Sequence, residues 1–122
     1  MITGLDHAQI TIPPGREAEA RDFYCTVLGL KEIPKPEPLV SRGGFWMTAG
    51  TYVIHVGVED NVDRKNTKAH LAYRVTDLDL WRETLSSLGV DVIDGIAIPG
   101  FARFEFRDPF GNRVEFLQTQ ED

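Results

Sequence analysis

The chain has 122 residues, 42% hydrophobic and 26% charged, which suits one globular domain with a real core. Its formal net charge of −6 argues against nucleic acid, which rewards clustered Lys and Arg, although a local pocket can oppose the global sign. Cys25 is the single cysteine, so no intramolecular disulfide can form; there is no secretory leader pattern at the start and no apolar run near the ~20 residues a membrane span needs. The expectation is a cytoplasmic protein that does not cross a membrane.

In chain order, Gly4 to Ile12 alternates, with Asp6, Ala8, Ile10 and Ile12 on one face and His7, Gln9 and Thr11 on the other, the pattern of a half-buried strand. Pro13, Pro14 and Gly15 end it. Ala20, Phe23, Tyr24, Val27 and Leu28 then recur at helical spacing, and Gly29 stands where a left-handed cap belongs. Extended pieces follow near Leu30–Ile33, Gly44–Thr48 and Tyr52–Val58, with residues 34–44 as a loop between the first two. The second half repeats the order. Ala69–Val75 alternates, Asp77 can cap a helix carrying Leu78, Trp81, Leu85 and Leu88, and Gly89 stops it. Val90–Ile93, Phe101–Arg107 and Arg113–Leu117 follow, the last two joined by the turn signal Asp108–Pro109–Phe110–Gly111.

The pattern is therefore βαβββ twice in a single domain: module one over about 1–58, a polar linker 59–68, and module two over about 69–122. A parallel α/β sheet is the alternative, but short turns between the last three strands of each half favour antiparallel meanders. The expected class is α+β, each module a curled mixed sheet with a helix on its outer face.

Strand parity then selects candidates for function. In Tyr52–Val58 the apolar set is Tyr52, Ile54, Val56 and Val58, leaving His55 opposite. In Arg113–Leu117 it is Val114 and Phe116, leaving Glu115 opposite. All three histidines, His7, His55 and His70, and Glu115 thus lie away from the helices, on the first and last strands of the two halves. Any one of them alone is more often a surface or core residue than a ligand. If the sheets curl into a cup the four converge, and imidazole with carboxylate suits Zn²⁺, Ni²⁺, Fe²⁺ or Mn²⁺. Arg103 and Arg74 share that face and could pair a substrate carboxylate or phosphate; a solvated charge or an Arg103–Glu105 pair is the plainer reading. One of Phe45 and Trp46 should line the inner face. Cys25 reads as inert and partly buried.

The segments D-H-A-Q-I-T-I (6–12), R-D-F-Y-C-T-V-L-G-L (21–30), A-H-L-A-Y-R-V (69–75) and R-D-P-F-G-N-R-V-E-F (107–116) together resemble the vicinal oxygen chelate superfamily of glyoxalases, fosfomycin-resistance proteins and extradiol dioxygenases. The resemblance covers nearly the whole chain. It implies paired βαβββ modules around a divalent metal, with His7, His70 and Glu115 at ligand positions. The fourth position falls on His55, where glyoxalase I enzymes usually carry Glu; His55 would ligate, or stand back as a base or as a group that supports the ligands. It implies a metal-dependent, glyoxalase-like lyase or isomerase acting on a small oxygen-rich substrate, with proton transfer by Glu115 or His55. An Fe²⁺ dioxygenase and a resistance or ligand-sequestering protein without turnover are the alternatives. It also implies a homodimer, in many relatives with each cup shared between two chains.

Overall fold

The computed structural model describes residues 1–120. The chain divides into two compact units, Met1–Val62 and the part from Asp63 onward. Each is a βαβββ module with one four-stranded mixed sheet, so the α+β class holds.

In module one, β1 (His7–Ile12) pairs in parallel with β4 (Tyr52–Val58), β4 pairs antiparallel with β3 (Phe45–Ala49), and β3 with β2 (Lys31–Ile33). Strand β1 starts at His7, so the expected Gly4–Asp6 portion is not strand. The parity reading holds where it matters: Ile12, Phe45, Met47, Ile54 and Val56 are buried. Tyr52 is a correction, since it stands at the strand's first residue and is exposed. Val58, at the other end, is half-buried.

The first helix also departs from expectation. An α-helical turn, α1 (Glu17–Arg21), widens into a π-helix over Asp22–Val27, where the Leu28 amide donates to the Phe23 carbonyl five residues back. This places Ala20, Phe23, Tyr24 and Leu28 in the core and leaves Val27 half-buried. The 34–44 loop contains a 3₁₀ segment, Glu37–Arg42. Gly44 ends that loop at a φ of 76°, where a Cβ would stand 2.0 Å from the Val56 carbonyl oxygen, so only glycine lets the loop enter β3 here.

Module two repeats the topology. Strand β5 (His70–Arg74) runs parallel to β8 (Arg113–Thr119), then β7 (Phe101–Arg107) and β6 (Ile93–Asp94) follow antiparallel. Helix α2 (Leu78–Ser87) starts at Asp77, whose carboxylate accepts from the Leu80 amide at 3.0 Å. Its inner face brings Trp81 against Phe116 at 5.3 Å, and Phe104, Phe106, Val114 and Phe116 complete the core. Burying each such aromatic contributes about 2–3 kcal/mol. Two expectations need correction. Leu88 follows the last helical turn and is exposed, and Val90, Asp91 and Val92 lie outside β6, which is only Ile93–Asp94.

The connector is only partly a free linker. Arg64, within a 3₁₀ turn Arg64–Asn66, is buried, and Arg107 Nη1 donates to the carbonyls of Arg64, Thr67 and Gly111. That arginine ties the chain entering β5 to the β7–β8 turn. The turn itself closes on Asp108, whose Oδ1 accepts from the Phe110 and Asn112 amides at 2.9 and 2.8 Å.

Candidate functional site

The polar residues picked by strand parity fall into one group in each module. In module one, β1 and β4 place Gln9 beside His55, and β3 places Trp46 on its other side in the same row. The His55 ring lies between two others: parallel to Trp46 at 3.9 Å and 3°, and stacked on His7 at 3.8 Å and 17°. Phe45 points to the core and Trp46 to this face. Burial within the stack, with the neighbouring His7 and against the pull of Asp6, holds the His55 pKa below the ordinary histidine value, so the ring is neutral at pH 7. His7 Nδ1 lies 2.9 Å from Asp6 Oδ2, which assigns the proton to Nδ1 and leaves the Nε2 lone pair outward.

In module two, three rows cross β5, β8 and β7 on the face opposite the core. They read His70–Arg113–Arg107, Ala72–Glu115–Glu105 and Arg74–Leu117–Arg103. His70 Nδ1 lies 2.8 Å from the Lys68 carbonyl, and His70 Nε2 lies 3.2 Å from Glu115 Oε1. A carbonyl only accepts, so Nδ1 carries the proton, and the neutral ring then turns a lone pair toward a carboxylate oxygen. Either a second ring proton or a shared cation satisfies that pair. Glu115 is only 7% exposed, and its Oε1 also accepts from Arg103 Nη1 at 3.3 Å. Arg103 Nε donates to the Ile96 carbonyl at 2.9 Å. Glu105 pairs with Arg113 rather than with Arg103. Arg74 is exposed, and its side chain makes no hydrogen bond with the described residues.

These donors can be tested against a divalent ion. Two ligand atoms about 2.1 Å from one ion, at tetrahedral to octahedral angles, stand about 3.0–3.4 Å apart, and His70 Nε2 and Glu115 Oε1 are 3.2 Å apart. His7 offers the same chemistry, with Nδ1 held by an oxygen and Nε2 free. His7 and His55 do not fit as joint ligands in this stack: their planes are nearly parallel, whereas in-plane lone pairs must converge on an ion about 2.0–2.1 Å away. Among the described residues, neither unit alone holds three His, Cys, Asp or Glu grouped for one metal.

Strand parity does not mark the residues that orient the candidates. Lys68 and Asp6 fix histidine tautomers through atoms that no sequence pattern marks. Gly95 matters because a Cβ there would stand 2.7 Å from Arg103 Cζ; a glycine in an otherwise apolar loop was the only signal. Cys25 is partly buried, and burial together with Glu32 pushes its thiol pKa up, with Arg21 opposing. No helix of the described chain is long and apolar enough to cross a membrane.

Comparison with known proteins bears on the whole fold. A Bacillus anthracis protein assigned to the glyoxalase family shares 45% identity over 98% of both chains, with a TM-score of 0.89. The fosfomycin resistance protein FosX from Listeria monocytogenes, solved with Mn(II) and sulfate, superposes with a TM-score of 0.77 at 18% identity, over 98% of this chain and 93% of that one. A glyoxalase/dioxygenase from Nostoc punctiforme superposes with a TM-score of 0.78 at 20% identity, over 98% and 92%. No functionally curated protein matches the chain. The family model for the Glyoxalase/Bleomycin resistance protein/Dioxygenase superfamily matches residues 4–116, and the chain belongs to that superfamily.

Proposed function

We propose that this protein is a metal-dependent, glyoxalase-like enzyme acting on a small oxygen-rich substrate, in a cytoplasmic setting that suits its free thiol. The observation that carries the reading is the His70–Glu115 pair, where a ring nitrogen lies 3.2 Å from a buried carboxylate oxygen, the spacing of two ligands on one ion. His70 and Glu115 would hold the ion, with His7 from module one of the same chain or of a second copy as a further ligand. Zn²⁺, Ni²⁺, Fe²⁺ and Mn²⁺ all accept this donor set, and FosX, a relative in fold, was solved with Mn(II). When bound, the ion would supply Lewis-acid polarisation of substrate oxygens.

The chain's own residues do the rest. His55, neutral and held between His7 and Trp46, is suited to accept a proton and to fix the His7 ring. Glu115 is the alternative proton carrier. Arg103 and Arg74 flank Leu117 in the row beside Glu115 and would bind an anionic oxygen of the substrate.

The test is solvent-deuterium exchange. Metal-loaded protein is incubated without O₂ in D₂O with a panel of small α-hydroxycarbonyl compounds and followed by NMR. Deuterium entering at the carbon beside the carbonyl, and lost in Glu115→Gln, is the expected result. Substrate consumed only with O₂ and Fe²⁺ would instead indicate a dioxygenase, and tight binding with no turnover a sequestering protein.

A further inference from the structure

The charge on the β5–β8–β7 face opposes that of the chain. Its three rows carry Arg74, Arg103, Arg107 and Arg113 against Glu105 and Glu115, an excess of two positive charges among these six side chains, in a protein of net charge −6. A divalent ion on His70 and Glu115 would raise that excess further. Arg103 is 16% exposed and cannot swing away freely. Its Nε is held by the Ile96 carbonyl, its Cζ lies over Gly95, and its Nη1 shares Glu115 Oε1 with His70 Nε2. Its Nη2 makes no hydrogen bond with the described residues, so one donor edge remains available.

We propose that Arg103 couples the metal to an anion: a carboxylate or phosphoryl group of the substrate binds its open edge, and metal and anion each bind more tightly when the other is present. The inference rests on the metal site and the arginine–anion contact proposed above and adds the thermodynamic link between them. The physical cause is direct. Arg103 and the ion draw on one carboxylate oxygen, and their charges repel across it. An oxyanion on the arginine neutralises it and leaves Glu115 to the ion. By linkage the effect is reciprocal. Gly95 is the positioning residue, because any Cβ there displaces the guanidinium.

The experiment measures Mn(II) affinity from the EPR signal of free aqueous Mn(II), with protein-free controls, in the presence of no added anion, acetate or inorganic phosphate. For the unaltered protein, one anion should tighten Mn(II) about tenfold, within the 5–150-fold range usual for such coupling. Coupling with acetate identifies a carboxylate substrate, and coupling with phosphate a phosphoryl one. Arg103→Gln should bind Mn(II) more tightly without anion and lose the coupling. Gly95→Ala, which lies outside the strands, should weaken the coupling while circular dichroism stays unchanged. Mn(II) binding that ignores both anions, or coupling that survives Arg103→Gln, overturns this inference and leaves the metal site standing. Failure to bind Mn(II), Zn²⁺, Ni²⁺ or Fe²⁺ under any condition overturns both.

Discussion

His55 has both faces covered, by His7 and by Trp46, and that arrangement decides what its substitution should do. Removing the ring in His55→Ala frees His7, and for the metal site proposed above the loss of such an orienting partner should cost about 10–100-fold in metal affinity. His55→Phe keeps the stacking surface and should restore most of that affinity while still lacking a proton acceptor. Equal metal affinity in the alanine variant and the parent would remove the stack from the account. Cys25 gives a second check at this scale. Its pKa is raised, so the folded protein holds less thiolate at pH 8 than an ordinary cysteine does, and thiolate is the reactive form. Alkylation by iodoacetamide should therefore be slower than for a free thiol at pH 8 and accelerate only at higher pH. A rate matching that of an unstructured cysteine peptide would contradict the burial.

At the scale of elements, the fold's legibility followed local periodicity. Strands β4 and β7 begin and end where the alternation of Tyr52–Val58 and Phe101–Arg107 does, because each has one buried and one open face. The π-helix after Arg21 was not legible, since Phe23, Tyr24, Val27 and Leu28 satisfy a 3.6-residue repeat and the wider turn is chosen by packing. Leu88 and Tyr52 failed as core residues because each stands at an element's end, where the pattern runs past the packing. Within the candidate site, parity put His70 and Glu115 on one face because both sit in paired strands. The Gly95–Arg103 cradle depends on a loop crossing a strand residue and has no periodic signature. Two substitutions test these elements. Asp77→Ala removes the cap on α2 and should lower stability by about 1 kcal/mol. Gly44→Ala forces a Cβ against the Val56 carbonyl and should cost at least about 3 kcal/mol. Urea denaturation monitored by circular dichroism measures both, and unchanged midpoints would contradict the contacts described.

For the molecule as a whole, each four-stranded sheet ends in β1 or β5 on one side and in β2 or β6 on the other, and such edges invite pairing. Met1, Ile2 and Leu5, just ahead of β1, are exposed apolar residues. A two-fold homodimer is the expected assembly; sedimentation equilibrium at micromolar concentration should give twice the chain mass, and a monomer mass would reject it. If the dimer stands, mixing His7→Ala with Glu115→Ala chains should restore partial metal binding only where sites are shared between chains. The claim on which the rest depends is that His70 and Glu115 hold a divalent metal. Elemental analysis of protein purified without chelator, beside Glu115→Gln, tests it most directly. About one divalent ion per chain in the parent, lost in the variant with its circular dichroism intact, is the predicted result. A parent that neither retains nor takes up metal, or a variant that retains it in full, would contradict it.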